Sequence, residues 1–200
     1  MSSPRKRAAF LDRDGVINVD HAYVHEIENF DWIPGVLDAA RRLHDAGFEL
    51  VVVTNQSGIG RGYYTEADFE KLTAWMKVRF AEAGAPLAGV YFCPHHPQKA
   101  LPAYRTNCGC RKPAPGMLLK AVEELGLDPE RSVMFGDKPG DCTAGRRAGL
   151  PERVLLGTDG LYRPEPSEDA TAVFANLADA ITACFAEYSR RVMKRSKSRR

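Results

Sequence analysis

Five short apolar runs rich in β-forming residues, separated by amphipathic or polar stretches, restrict the folds open to this chain more than any other feature. They are AAFLD (8–12), FELVVVTN (48–55), GVYFC (89–93), SVMFGD (132–137) and RVLLG (153–157). Their apolar character is nearly continuous rather than alternating, as in strands covered by helices on both faces. Helical periodicity fills the intervals. GVLDAARRLHDAG (35–47) gathers Val36, Leu37, Ala40 and Leu43 on one face and ends on glycine. TEADFEKLTAWMKVRFAEAG (65–84) opens on Thr65, suited to an N-cap, and stacks Phe69, Leu72, Met76 and Phe80. PGMLLKAVEELG (115–126) starts after proline and ends at glycine, and further helices are expected over 139–148 and 172–189. Strands alternating with helices predict an α/β fold with a mostly parallel sheet.

The chain has 200 residues, 44% apolar and 27% charged, enough for one substantial core; a single domain is expected over 1–189. No apolar run approaches a membrane span, and the basic start MSSPRKRAAF runs into charged LDRDG without a signal-peptide apolar region. A cytoplasmic location with reduced cysteines, no membrane partner and a monomer are the expectations. The net charge of +2 conceals an asymmetry: residues 190–200, RRVMKRSKSRR, hold seven basic groups and no acid, and residues 8–189 hold 18 basic against 26 acidic. Such an end reads as a solvated, disordered tail. A nucleic-acid module is the distant alternative, set aside because no aromatic stacking platform accompanies the basic residues.

In a parallel α/β sheet, ligands gather beyond the carboxyl ends of the strands. Those ends carry Asp12, Thr54 and Asn55, Cys93, and Gly136 with Asp137. Asp12 and Asp14 stand two residues apart, which in extended chain puts both on one side. Carboxylates sharing a site repel unless a cation binds or one takes a proton, so the pair suits a nucleophile and an acid/base beside a hard metal ion. Alone, D-x-D-G also fits a strand end followed by a turn. Asp137 adds an oxygen ligand of the kind Mg²⁺ prefers. Thr54 offers a hydroxyl, the glycine-bearing NQSGIGRG (55–62) offers backbone N–H groups as a loop, and Lys112 offers a compact positive charge; all three suit a phosphate.

A second cluster lies in CPHHPQ…TNCGCRKPAPG (93–116). Cys93-x-His95 and Cys108-x-Cys110 form a Cys₃His set, which tetrahedral Zn²⁺ accepts with no open position, the structural kind of site. Zinc there would order a loop that lacks a core of its own. His96 breaks the C-x-H/C-x-C symmetry and is left out. The clip ends immediately before Arg111 and Lys112, so whatever order it imposes reaches those two cations.

DRDGV (12–16), VVVTN (51–55), Lys112 and GDKPGD (136–141) resemble, in order, the four motifs of the haloacid dehalogenase superfamily. The resemblance implies a Rossmann-like three-layer fold without a large cap domain. It implies Asp12 as nucleophile forming an aspartyl-phosphate, Asp14 as acid/base, and Thr54 and Lys112 holding the phosphoryl group. Mg²⁺ would sit on Asp12, Asp137 and the backbone carbonyl of Asp14. The zinc loop resembles one branch of the superfamily, and TNQSGIGRGYYTEADF (54–69) and CPHHP (93–97) are similar to its sugar-bisphosphate side. That implies a small phosphorylated sugar as substrate, namely loss of the 7-phosphate from a heptose 1,7-bisphosphate on the way to nucleotide-activated heptose. Histidinol phosphate or another small phosphomonoester is the alternative. Substrate contacts are then expected at Asp20, His21 and Tyr23, at Asn55, Gln56 and Ser57, and at the cations Arg61, Arg111 and Lys138.

Overall fold

The computed structural model describes residues 5–158 and 160–184. Six strands form one sheet: β1 (Arg7–Leu11), β2 (Phe48–Asn55), β3 (Leu87–Cys93), β4 (Val133–Gly136), β5 (Glu152–Leu156) and β6 (Ala172–Phe174). Their order is β3-β2-β1-β4-β5-β6, and every pairing is parallel. The helices are α1 (Val36–Asp45), α2 (Ser57–Arg61), α3 (Glu66–Glu82), α4 (Gly116–Glu124), α5 (Pro139–Arg147) and α6, which is helical from 177 to the last described residue, 184. This is the three-layer, Rossmann-like arrangement the motifs imply.

Side-chain alternation along the strands shows why both faces need cover. In β1, Ala9 and Leu11 enter one core while Ala8 and Phe10 enter the other; in β2, Leu50 and Val52 part from Val51 and Val53 in the same way. The first core is closed by α1 (Val36, Ala39, Ala40, Leu43), α3 (Leu72, Met76, Phe80) and α6 (Leu177, Ala180, Ile181). The second is closed by α4 (Met117, Leu118, Ala121) and by Ala144 of α5 with the neighbouring Ala148. Thr65 caps α3 as expected: its hydroxyl accepts from the Asp68 N–H, and Asp68 accepts in return from the Thr65 N–H.

Two expectations about elements need correcting. The stretch 172–189 is not one helix. Ala172–Phe174 pairs as β6 beside β5, a turn follows, and the helix starts at 177, where the Asn176 side chain accepts from the Asp179 N–H as an N-cap. The sheet therefore has six strands, not five. NQSGIGRG is not only a glycine-bearing loop, because Ser57–Arg61 forms a short helix. The basic run 190–200 and residues 185–189 lie outside the described residues. No helix among the described residues is long and apolar enough to cross a membrane.

Candidate active site

The strand order reverses at the seam between β1 and β4, leaving a crevice beyond their carboxyl ends. Asp12 follows β1 directly, its N–H donating 2.9 Å to the Phe135 carbonyl of β4, and Asp137 follows β4. Thr54 closes β2 one strand away, with 1% exposure. A cavity of about 460 Å³ opens here, lined on one side by Asp12, Asp14, Thr54, Lys112 and Asp141.

Lys112 binds this arrangement together. Its side chain is 2% exposed and Nζ lies 2.9 Å from Asp12 Oδ2, 2.7 Å from Asp141 Oδ1 and 2.8 Å from the Val53 carbonyl. Burial works against its ammonium, but the Asp12 and Asp141 charges outweigh it and hold the lysine pKa above its ordinary value. The Lys112 backbone is fixed by Asn55, whose side chain donates 3.0 Å to the Lys112 carbonyl and accepts 3.1 Å from its N–H. Asn55, expected to touch substrate, lines the cavity but spends its amide on placing the lysine.

One lysine does not balance the acids around it. Oxygens of Asp12, Asp137 and Asp141 all lie within 4.8 Å of one another, and all three residues are buried. Burial pushes Asp12 up to about 6, eased by Lys112 and reinforced by Asp141; burial and then the Asp12 charge push Asp137 up to about 7. Both Asp137 oxygens are buried with no well-formed hydrogen bond among the described residues, the Thr158 hydroxyl easing the carboxylate only weakly, and the nearest cation is Lys138 Nζ at 3.7 Å from Oδ2. Orphaned oxygens facing a second carboxylate fit a hard divalent cation. Gly15 makes the approach possible: its φ is +86°, and a Cβ there would stand 2.3 Å from Asp137 Oδ2.

Asp14 faces the same cavity but keeps separate company. Arg13, 1% exposed, grips it with Nε at 3.1 Å and Nη2 at 2.9 Å from Oδ1, and Asn18 Nδ2 donates 3.1 Å to the same oxygen. Gln56 Nε2 donates 2.9 Å to Oδ2 and 2.9 Å to the Thr54 hydroxyl.

Of the expected substrate contacts, Asp20, Tyr23, Gln56, Ser57, Arg111 and Lys138 line the cavity. Lys138 Nζ is 3.2 Å from Asp20 Oδ2; burial opposes its charge, but Asp137 and Asp20 raise its pKa. Tyr23 stands with φ of +58° and sets its ring edge-on to Tyr63, centroids 4.8 Å apart. Two residues are not brought in. His21 sits on the surface with Nε2 2.7 Å from Asp31 Oδ2, and Arg61 lines a separate hollow with Lys99 and Arg105 while its guanidinium carbon stands 5.7 Å from the centroid of the Tyr23 ring.

The Cys₃His set converges. Cys110 Sγ is 3.1 Å from both Cys93 Sγ and Cys108 Sγ and 3.5 Å from His95 Nδ1; Cys93 Sγ is 3.5 Å from Cys108 Sγ and 3.7 Å from His95 Nδ1. Bond lengths of about 2.3 Å to sulfur and about 2.0 Å to nitrogen give tetrahedral edges near these separations, so the set fits zinc. Burial opposes the Cys108 thiolate, but hydrogen bonds from Cys110, the Arg111 backbone and Cys93 pull its pKa down to about 6. His96 has another task, since its Nδ1 accepts from the Gln98 and Lys99 N–H groups. The clip is tied to the core where Gly116 N–H donates 2.9 Å to the Gly109 carbonyl. It reaches the cavity through Arg111, whose Nη1 donates 3.2 Å to the His95 carbonyl.

Sequence reasoning passed over Asp141, Arg13 and Tyr64. Asp141 was within reach, because an acid three residues after the position preceding a helix-opening proline folds back on the helix start, and here it accepts 2.9 Å from the Lys138 N–H. Nothing in the sequence distinguishes Arg13 from a spacer between two aspartates.

The fold and this crevice define a class. Residues 3–149 match the family of haloacid dehalogenase-like hydrolases, and the chain belongs to that family. More particularly, the D-glycero-beta-D-manno-heptose-1,7-bisphosphate 7-phosphatase of Escherichia coli (strain K12) is 53% identical over 172 residues, 86% of this chain and 90% of that protein. The protein of the same name from Yersinia pestis is 50% identical over 181 residues, 90% of this chain and 96% of that one. Among solved structures, the D,D-heptose 1,7-bisphosphate phosphatase from B. bronchiseptica, complexed with magnesium and phosphate, superposes with a TM-score of 0.76 at 30% identity, over 90% of this chain and 99% of that one.

Proposed function

We propose that this chain removes the 7-phosphate of D-glycero-D-manno-heptose 1,7-bisphosphate, with Mg²⁺ at the carboxylate cluster and structural Zn²⁺ in the Cys₃His clip. The observation that carries the chemistry is the buried Asp12–Lys112–Asp141 cluster with orphaned Asp137 beside it. The substrate rests on relatives of about half identity that span nearly the whole chain and bear that name.

Asp12 is the nucleophile. A carboxylate oxygen attacks phosphorus as the bond to the sugar oxygen breaks, and Asp14 delivers a proton to that leaving oxygen. Asp14, now a carboxylate, takes a proton from water as the water oxygen attacks phosphorus; the bond from phosphorus to the Asp12 oxygen breaks, inorganic phosphate leaves, and Asp12 is restored as a carboxylate with Asp14 protonated. Lys112 and the Thr54 hydroxyl face the oxygens of the transferring group and offset their charge. Asp12, Asp137 and the Asp14 carbonyl would hold Mg²⁺, which when bound supplies positive charge against the nucleophile and the phosphoryl oxygens. Cys93, His95, Cys108 and Cys110 would hold Zn²⁺, which when bound cross-links the loop that presents Arg111 and Lys112. Arg111 and Lys138 are the cavity cations available to the second phosphate, with Asp20, Tyr23 and Ser57 facing the sugar.

The test is turnover by the purified protein with Mg²⁺ on both anomers of heptose 1,7-bisphosphate, fructose 1,6-bisphosphate and histidinol phosphate. The heptose bisphosphate is expected to be preferred, in the beta form that the relatives' names carry. A clear preference for histidinol phosphate would sink the substrate reading. Asp12→Asn should be folded and inactive, and retention of more than a few percent of activity would remove Asp12 as nucleophile.

A further inference from the structure

Gln56 stands between two groups with different tasks. Its Nε2 donates to Asp14 Oδ2 and to the Thr54 hydroxyl, each at 2.9 Å, and the residue is 2% exposed. An amide can be turned over at little steric cost, which would point its oxygen at the Asp14 carboxylate. Two donors prevent this here. The Tyr64 hydroxyl donates to Gln56 Oε1, and Arg13 Nη2 approaches the same oxygen at 3.2 Å. Arg13 is occupied elsewhere, with two nitrogens on Asp14 and a 2.6 Å bond to the Val24 carbonyl. The Tyr64 hydroxyl has no other hydrogen-bond partner among the described residues, although the residue also lines the cavity. Its ring lies flat on His25, centroids 4.7 Å apart and 4° from parallel, packs with Ile59 and Phe69, and is 5% exposed.

We propose that Tyr64 is a positioning residue which, by fixing the amide of Gln56, holds Asp14 in the orientation from which it moves its proton. This rests on the reading of Asp14 as acid/base. It separates two steps by their need for a proton. A sugar alkoxide leaves poorly without one, whereas p-nitrophenolate leaves unaided. Loss of the hydroxyl should therefore slow transfer from an alkyl phosphate more than from an aryl phosphate.

The experiment compares kcat/KM, which reports the first phosphoryl transfer, for heptose 1,7-bisphosphate and p-nitrophenyl phosphate in wild type and Tyr64→Phe. The expected result is a fall of about 10-fold on the sugar, part of the roughly 10²–10⁴-fold that acid/base catalysis supplies, and under about 3-fold on the aryl ester. Equal falls on both substrates would make Tyr64 merely structural, and no fall on either would remove it from the reaction; both overturn the proposal. Should Tyr64→Phe fold poorly, its rate on the aryl ester serves as the count of folded sites, so the ratio of the two rates carries the test; a ratio equal to that of wild type overturns the proposal. If wild type hydrolyses p-nitrophenyl phosphate but not the heptose bisphosphate, the substrate reading alone fails. The same comparison is then made with whichever of fructose 1,6-bisphosphate and histidinol phosphate it accepts.

Discussion

Replacing Lys112 by methionine removes the one cation among the described residues that touches both Asp12 and Asp141 and leaves the shape of the side chain nearly unchanged. Nζ lies within 3 Å of both carboxylates, at 2.9 and 2.7 Å, with all three side chains at most 8% exposed. Removing one partner from a buried charge pair costs about 3–5 kcal/mol, because the remaining charge is left uncompensated. For a domain of this size each kcal/mol moves the melting temperature by about 2–4 °C, so the variant should melt about 6–20 °C lower in metal-free buffer. The fall should have two remedies. Mg²⁺ should raise the melting temperature of the variant more than that of wild type, because more negative charge awaits it. Adding Asp141→Asn removes one stranded carboxylate, so the double variant should recover part of the loss, with a coupling of about 0.5–3 kcal/mol. Calorimetry on the four proteins of this cycle, with EDTA and with Mg²⁺, is the assay. A fall under about 3 °C, or a double variant no more stable than Lys112→Met, would refute the reasoning that Lys112 offsets the acid cluster.

In metal-free protein the raised pKa values of Asp12, about 6, and Asp137, about 7, lie above the ordinary 3.8, so their contribution favours the fold below about pH 4. It is lost as pH rises to about 7; melting curves should show this decline, flatter in Asp137→Asn and shallower when Mg²⁺ is present. Cys108→Ser should lose zinc, measured by metal analysis of the purified protein, and lower turnover while Mg²⁺ affinity is kept; stoichiometric zinc in the variant would show the ligand set to be wrong. Gly15→Ala puts a Cβ 2.3 Å from Asp137 Oδ2 at a φ of +86°, which should cost at least about 1 kcal/mol and weaken Mg²⁺ binding in a calorimetric titration; wild-type affinity would mean Asp137 is free to move aside.

The strands were legible because a buried parallel strand needs apolar residues on both faces, and VVVT at 51–54 can hardly be read otherwise. The site was legible where chemistry forces a residue type at a strand end, as with Asp12, Thr54 and Asp137. What escaped depends on tertiary partners. AVF at 172–174 is too short for its own periodicity to separate strand from helix, and β5 decides the matter. SGIGR has two glycines and weak helical propensity, yet it forms α2, with Gly58 and Ile59 buried beneath Tyr64. Arg13 looks like a surface charge until its carboxylate partner is seen. Arg61, expected as a substrate cation, lies outside the cavity lining and meets it only through the Tyr23 ring, a placement that spacing along the chain does not reveal.

The sheet order has a consequence for how this protein wears and changes. β1 and β4, which lead into Asp12 and Asp137, are central strands, so their amides should exchange with deuterium only when the whole fold opens. Much of the rest of the cavity lining stands instead on the segments around Asp20–Tyr23, α2 and the cysteine loop, outside the sheet. Reaction chemistry is thus anchored in the slowest-exchanging part of the molecule, while recognition occupies parts that can be lengthened, shortened or rewritten without disturbing a strand. Exchanging those loops should therefore alter which phosphate ester is accepted while leaving the carboxylate cluster in place, a split that loop variants assayed on the substrate panel would show.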